Sequence, residues 1–233
     1  MQPMRSRPAA VLSTIGLAAA ISVTAVSPAA ADTVCVVSSF SPRSVVVGLT
    51  PVVSTFDVRT TGCTESGWSI TIGDFRSFTY DGNPEETFSP FSNAEAGPDH
   101  VTVEATNADY RSTTRVFPAS SGFSLLRRTA WLGGSFNASP EPARRGSAIS
   151  IKGRLMIANW DTDHYVGYGG RTVSVEFRTP SGTYSQIKTV KTAADGWLRT
   201  TVPARSTGVW RVRYAGNAIA GPAVVVGDAV SVT

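Results

Sequence analysis

Three side chains with metal-ligating oxygens, Asn159, Asp161 and Asp163, fall at every second position of the segment ANWDTDHYVGYGG, residues 158–170. Alternating oxygen donors on a short loop suit a calcium ion, and an EF-hand loop supplies them at its first, third and fifth positions. The rest of that motif is missing. His164 stands where the sharp turn needs Gly, and Gly170 where a bidentate Glu should close the shell. What remains is a non-EF site in which Asp161 and Asp163 join backbone carbonyls, against the simpler reading of a solvated acidic loop whose Asp side chains cap turns. Asp81, Asn83, Glu85 and Glu86, on a turn with Gly82 and Pro84, form a second oxygen cluster open to the same two readings. Calcium held between two domains is disfavoured, because residues 118–130 contain no acid.

The same segment carries Trp160, Tyr165 and Tyr168. Aromatic faces beside Asp and Asn groups can stack on sugar rings while hydrogen-bonding their hydroxyls. The competing and favoured reading folds Trp160 and one Tyr inward as the lid of a β-sandwich core. Catalytic motifs are missing: His100 and His164 are the only histidines, and there is no HExxH, no Gly-x-Ser-x-Gly elbow and no Gly-rich phosphate loop. The sequence therefore reads as non-enzymatic, with a secreted hydrolase as the third-ranked alternative.

Elements that would position these residues follow from hydrophobic periodicity. Trp210, Val212 and Tyr214 alternate with Arg211 and Arg213; Val173, Val175 and Phe177 alternate with Ser174, Glu176 and Arg178; Ile149, Ile151 and Leu155 lie opposite Ser150, Lys152 and Arg154. Runs near Trp131, Ile149, Val173, Ile187, Leu198, Val212 and Val225, separated by turn residues such as Asp195 with Gly196, predict seven strands and an immunoglobulin-like (Ig-like) sandwich. On this reading the segment 158–170 is the one long interruption. The preceding half holds weaker strand signals at Val34–Val37, Val45–Val47, Val52–Arg59, Trp68–Ile72, Val101–Ala105 and Thr113–Phe117, and predicts a second, smaller sandwich. Pro118 to Gly122 reads as the linker, and the Leu125 and Leu126 pair with Arg127 and Arg128 as residues that could pack the two domains together.

The chain is all-β on this evidence: a signal peptide at residues 1–31, an acidic Ig-like domain at 32–121 and a basic one at 122–233. Arg5 and Arg7, an uncharged Ala, Val and Leu-rich run and Ala29 to Ala31 compose the export signal, and Val34 before Cys35 argues against a lipoprotein anchor. Residues 32–121 carry five Arg and eleven acids; residues 122–233 carry fourteen bases and six acids. Opposite charges could dock the halves on each other or pair molecules head to tail, so the oligomeric state stays open. Cys35 and Cys63, an even pair in an exported chain, predict a disulfide.

The stretch from NASPEPARRG through ISIKGRL, ANWDTDHYVGYGG, VSVEFR, YSQIKTVKT and ADGW to GVWRVRYAG resembles the C-terminal domain of secreted actinobacterial proteins, many uncharacterised and some labelled calcium-binding. The likeness spans residues 130–232 and is weaker in the acidic half, where it is limited to SVVVG followed by PVVSTFDV. It implies an Ig-like fold and an extracellular setting, and supplies no catalytic residues.

The expected function is that of a secreted, non-catalytic Ig-like protein with a binding or structural role at the cell exterior, and the alternative is a calcium-binding version of the same scaffold. The expected binding loop is Asn159, Trp160, Asp161, Asp163, Tyr165 and Tyr168, and the calcium alternative uses Asp161, Asp163, Asp81 and Glu85. Arg144, Arg145, Lys188, Lys191, Arg211 and Arg213 would suit an anionic cell-wall polymer if one surface presented them, while the ordinary alternative is that they keep sheet edges soluble. A polysaccharide or a protein is an equally open partner. Nucleic acid and a membrane anchor are not expected.

Overall fold

Alternation of apolar and polar side chains dominates the chain, and the computed structural model is correspondingly built from β-strands. It describes residues 34–63, 68–73, 76–79, 85–107 and 109–233. The export signal read at residues 1–31 and the ligand proposed at Asp81 lie outside the described residues.

The acidic half contributes β1 (Val36–Ser41), β2 (Ser44–Val47), β3 (Val52–Thr55), β4 (Asp57–Thr61), β5 (Trp68–Ile72), β6 (Arg76–Thr79), β7 (Glu85–Phe88), β8 (Gly97–Asp99), β9 (Val101–Thr106), β10 (Ser112–Phe117) and β11 (Phe123–Arg127). One layer pairs β1 with β4 and β3 with β7. The other runs β10-β9-β5-β6 and β2-β11-β8, with β11 parallel to β2. Between them lies a cluster that includes Phe56, Phe88 and Phe123, whose ring centroids are 5.3 to 6.1 Å apart. Cys35 and Cys63 form the disulfide expected of them, closing the end of the β1–β4 ladder where Val36 faces Thr61.

Pro118 to Gly122, read from the sequence as the linker, is a turn inside this half. The Ser121 N–H donates to the Pro118 carbonyl, and a Cβ at Gly122 would come within 2.1 Å of the Asp99 carbonyl oxygen. Phe123–Arg127 then joins the sheet of β2 and β8, so strand pairing continues in this half up to Arg127.

The basic half contributes β12 (Thr129–Trp131), β13 (Asn137–Ser139), β14 (Ala148–Asn159), β15 (His164–Gly167), β16 (Thr172–Arg178), β17 (Ser185–Lys191), β18 (Trp197–Pro203), β19 (Gly208–Tyr214), β20 (Ala223–Val224) and β21 (Asp228–Val230). One sheet orders β13-β14-β18, with β12 and β15 also on β14; the other orders β17-β16-β19, with β20 and β21 on β19. The chain passes from β14 and β15 to β16 and β17 of the second sheet, returns to β18 and crosses again to β19, the Greek-key exchange of an Ig-like sandwich. Ile149, Ile151, Leu155, Val173, Val175, Leu198 and Val212 fill the space between the sheets.

Six of the thirteen residues of the supposed interruption at 158–170 are strand, Ala158 and Asn159 in β14 and His164–Gly167 in β15. Met156, Ile157, Ala158 and Asn159 pair with Gly167, Val166, Tyr165 and His164 across a tight turn at 160–163. The turn closes with Asp163 in the left-handed region at φ 53°, a conformation that Asp tolerates better than most residues. After β15 the chain packs on the turn before β18, where a Cβ at Gly167 would sit 2.0 Å from the Asp195 carbonyl oxygen.

Candidate functional site

Alternation along β14 decides what its tip does. Ile149, Ile151, Leu155 and Ile157 face the core of the basic half, so the even-numbered positions Ser150, Lys152 and Arg154 point the other way. Continuing that period puts Ala158 and Trp160 on this second, outward side. There they are buried, Ala158 at 0% exposure and Trp160 at 7%, within the core of the acidic half. One strand thus serves two cores, with Ile157 in one and Ala158 in the other. The lid reading is corrected accordingly: Trp160 covers the acidic half's core and not that of its own sandwich. Its indole Nε1 donates to the carbonyl of Gly48 at 2.8 Å, so the polar atom is satisfied where water is excluded.

Asn93 locks the backbone of this tip. It opens a single 3-10 turn, Asn93–Glu95, that Ser92 and Glu95 fix by a reciprocal capping box. The Asn93 N–H donates to Asp161 Oδ1 at 3.0 Å, and its Nδ2 donates to Asn159 Oδ1 at 2.6 Å and also to Asp161 Oδ2. Its Oδ1 accepts from the Trp160 N–H at 3.0 Å. The Asn93 backbone N–H, the largest influence, holds the Asp161 carboxyl below its ordinary value. Ser92, the Asn93 side chain and Arg127 act in the same direction, against a desolvation penalty.

Behind the latch the two halves share backbone hydrogen bonds across one residue, Arg128. Its N–H donates to Val47 and its carbonyl accepts from Ala158. Arg127 exchanges both backbone bonds with the segment Ile219–Gly221, and Thr129 Oγ1 donates to the Gly221 carbonyl at 2.6 Å. Arg127 Nε reaches the carbonyl of Ala158 at 2.6 Å. Burial lowers the affinity of the Arg127 guanidinium for its proton, while Tyr168 and Asp161 oppose that shift. Arginine nonetheless remains a cation at any ordinary pH.

The remaining residues of the expected site separate. Tyr165 is 36% exposed and closes over Gly48, where a Cβ would be 3.0 Å from its hydroxyl. Tyr168 turns to the basic half's core, edge-on to Tyr214 at 5.8 Å, with Arg171 over its ring and its hydroxyl accepting from Asn217 Nδ2. Trp160, Tyr165 and Tyr168 therefore offer no common face to a sugar. Asp163 is exposed on the turn beside a small cavity bounded by Leu49, Pro51 and Pro90. Glu85 pairs across from Thr55 in another layer. No three His, Cys, Asp or Glu side chains among the described residues are arranged to hold a metal ion. His164 Nδ1 contacts the Thr162 carbonyl, and His100 Nδ1 lies 3.0 Å from Asp99 Oδ1. The basic pairs also diverge: Arg211 is bonded to Glu176 at 2.6 Å, Lys188 reaches Thr200 Oγ1 on the opposite sheet, and Arg145 binds the Arg205 carbonyl.

No family model matches the chain, and no curated protein matches it. Among solved structures it is similar to the fibronectin(III)-like modules of Clostridium thermocellum CbhA at 12% identity, over 85% of this chain and 93% of that one, with a TM-score of 0.39. It is also similar to a tetra-tandem repeat in the extending region of a large adhesion protein, at 12% identity over 81% and 48% of the two chains with a TM-score of 0.34. The D00-D0 domain of intimin matches at 14% identity over 84% and 99%, with a TM-score of 0.28. It is the strand order that makes the fold Ig-like; these similarities add no argument about function.

The sequence reading missed Asn93 and Gly48. Ser92 and Glu95 spell a capping box that could have marked the turn. Nothing local marks Gly48 as the acceptor for an indole 112 residues away.

Proposed function

We propose that this chain is a secreted, non-catalytic pair of Ig-like modules whose role outside the cell is to present two β-sandwiches in one fixed orientation. The observation that carries the reading is the burial of Trp160, borne by the turn that follows β14 of the basic half, in the core of the acidic half. A hinge between modules needs a junction with few crossing contacts. Here a single residue separates β11 from β12, and its backbone bonds to both halves. We place the module boundary at Arg128 for that reason. Trp160, Asp161 and Tyr165 are then assigned to docking, and any external partner, a wall polymer, polysaccharide or protein, would meet surfaces elsewhere. The export signal read in residues 1–31, the Cys35–Cys63 disulfide and the resemblance to secreted actinobacterial proteins support the exterior setting.

Nuclear relaxation of the mature chain tests the proposal. Both halves are expected to tumble with one rotational diffusion tensor, and Trp160→Ala combined with Asn93→Ala is expected to let them reorient separately. Independent tumbling of the halves in the parent protein would overturn it.

A further inference from the structure

β14 is the middle strand of its sheet, with β12 and β13 on one side and β18 on the other. Its inward residues fill the core, so Lys152 and Arg154 share the outer face with Asn137 of β13 and with Trp197, Arg199 and Thr201 of β18. Lys152 lies directly opposite Arg199, and Arg154 opposite Trp197. Lys152 and Arg199 are exposed, and Arg154 is half-buried. Among the described residues no carboxylate lies within ion-pair distance of any of the three. Asp195, in the turn before β18, turns its Oδ1 to the Trp197 N–H at 3.1 Å.

Two features set this face apart from a merely solvated one. Like charges directly across a strand pair destabilise it, and a surface built for solubility alone mixes both signs. Nor do Lys152 and Arg154 guard a sheet edge, because their strand is paired on both sides. The second feature is that both guanidinium groups are held in place with donors left over. Arg154 Nε donates to the Asp195 carbonyl at 2.9 Å, and the Arg199 guanidinium carbon sits 4.9 Å from the centroid of the Trp197 ring. Alternate residues on a strand stand about 6.7 Å apart and diagonal neighbours about 8 Å, so the three cations spring from one small patch. An open sheet face does not enclose a lone small ion, whereas a chain with repeated anionic groups can meet several of these cations at once. Guanidinium groups grip carboxylate or phosphate oxygens through two parallel N–H donors, and Thr201 and Asn137 beside them offer hydrogen bonds to sugar hydroxyls.

We propose that the outer face of β14 and β18 binds a linear polysaccharide bearing repeated anionic groups, carboxylate or phosphodiester, through Lys152, Arg154 and Arg199. This names the partner that the exterior role leaves open; it rests on that role and not on the fixed orientation of the modules.

The test titrates the full mature chain with carboxymethyl dextran, dextran phosphate and unsubstituted dextran, three polymers that share one backbone. Saturable binding to at least one charged dextran is expected, and which of the two binds identifies the anionic group. Lys152→Gln with Arg199→Gln should weaken that binding by about tenfold or more, the scale of one charge-assisted contact. The same variant should fold at least as stably as the parent, because the opposed like charges are gone. Lys191→Gln with Arg205→Gln removes equal charge from exposed positions on other segments and should bind as the parent does. The proposal is overturned if neither charged dextran binds more tightly than plain dextran, if Lys152→Gln with Arg199→Gln keeps the parent's affinity, or if the Lys191 and Arg205 pair loses as much. Separate tumbling of the halves would overturn the fixed orientation and leave this face standing, whereas absent binding would overturn this face alone.

Discussion

The indole Nε1 of Trp160 and the carbonyl of Gly48 are 2.8 Å apart and buried, although 112 residues separate them in the chain. Removing the indole leaves a cavity in the acidic half's core, and large-to-small changes at such sites cost about 3 to 5 kcal/mol. Trp160→Ala should therefore lower the unfolding midpoint of the acidic half and split a single calorimetric transition into two. Trp160→Phe keeps much of the apolar body but leaves the Gly48 carbonyl without its donor, for a smaller loss of about 1 to 3 kcal/mol. Equal midpoints for Trp160→Ala and the parent would show that the contact does not couple the halves.

Asp161 accepts from Asn93 through both carboxylate oxygens, which holds its proton affinity below the ordinary value of 3.8. A carboxyl with a depressed folded value contributes stability that is complete above the unfolded value and is lost as pH falls through the folded one. Acid titration followed by fluorescence should show this loss below pH 3.8. In Asp161→Asn that part of the pH dependence should vanish, with the two proteins converging in stability at the acid end. Parallel curves for both proteins would be the contrary result.

Asp161 already accepts from Asn93 through both carboxylate oxygens, and the same Asn93 positions Trp160. No three His, Cys, Asp or Glu side chains among the described residues gather to complete an ion's shell, so calcium held there would stabilise the folded chain little by mass action. Millimolar calcium should leave the thermal midpoint where chelator leaves it. A clear calcium-dependent rise that disappears in Asp161→Ala with Asp163→Ala would reverse this reading.

Strands with one buried face, such as Val173–Phe177 and Trp210–Tyr214, were legible because each alternates apolar and polar residues at period two. β15 was not: its His164, Tyr165 and Val166 are all exposed or nearly so, and without a buried face there is no alternation to read. β11 alternates cleanly at Phe123 and Leu125, but its place beside β2 depends on parallel pairing with residues about eighty positions earlier, which no local pattern encodes. The docking of Trp160 did leave a trace. Extending the alternation of Ile149, Ile151 and Leu155 puts Trp160 on the side of Lys152 and Arg154, and a large apolar residue on the wet side of a strand marks a surface that something else covers.

Cys35 and Cys63 close a stretch of 28 residues at the end of the β1–β4 ladder. In the chain-entropy model a loop of that length stabilises by ~3 to 4 kcal/mol. Reduction, or Cys35→Ala with Cys63→Ala, should therefore lower the denaturant midpoint of the coupled chain. A loss of under about 1 kcal/mol would mean that the unfolded chain is already constrained there.

Glu176 carries a further charged contact with measurable weight. Its side chain is 9% exposed, Arg211 Nε lies 2.6 Å from Oε2, and Arg213 approaches Oε1 only to 4.0 Å. Arg211 also stacks on Tyr184, with its guanidinium carbon 3.6 Å from the ring centroid. Stripping a buried carboxylate of its close partner costs about 3 to 5 kcal/mol, whereas a half-exposed pair at the distance limit is worth under about 1 kcal/mol. Urea unfolding should accordingly find Arg211→Ala severely destabilised and Arg213→Ala close to the parent. Replacing Glu176 together with Arg211 by apolar residues should recover much of the loss, because no buried charge is then left unpaired. If Arg213→Ala proves as damaging as Arg211→Ala, the two arginines share the carboxylate in solution more evenly than these distances indicate.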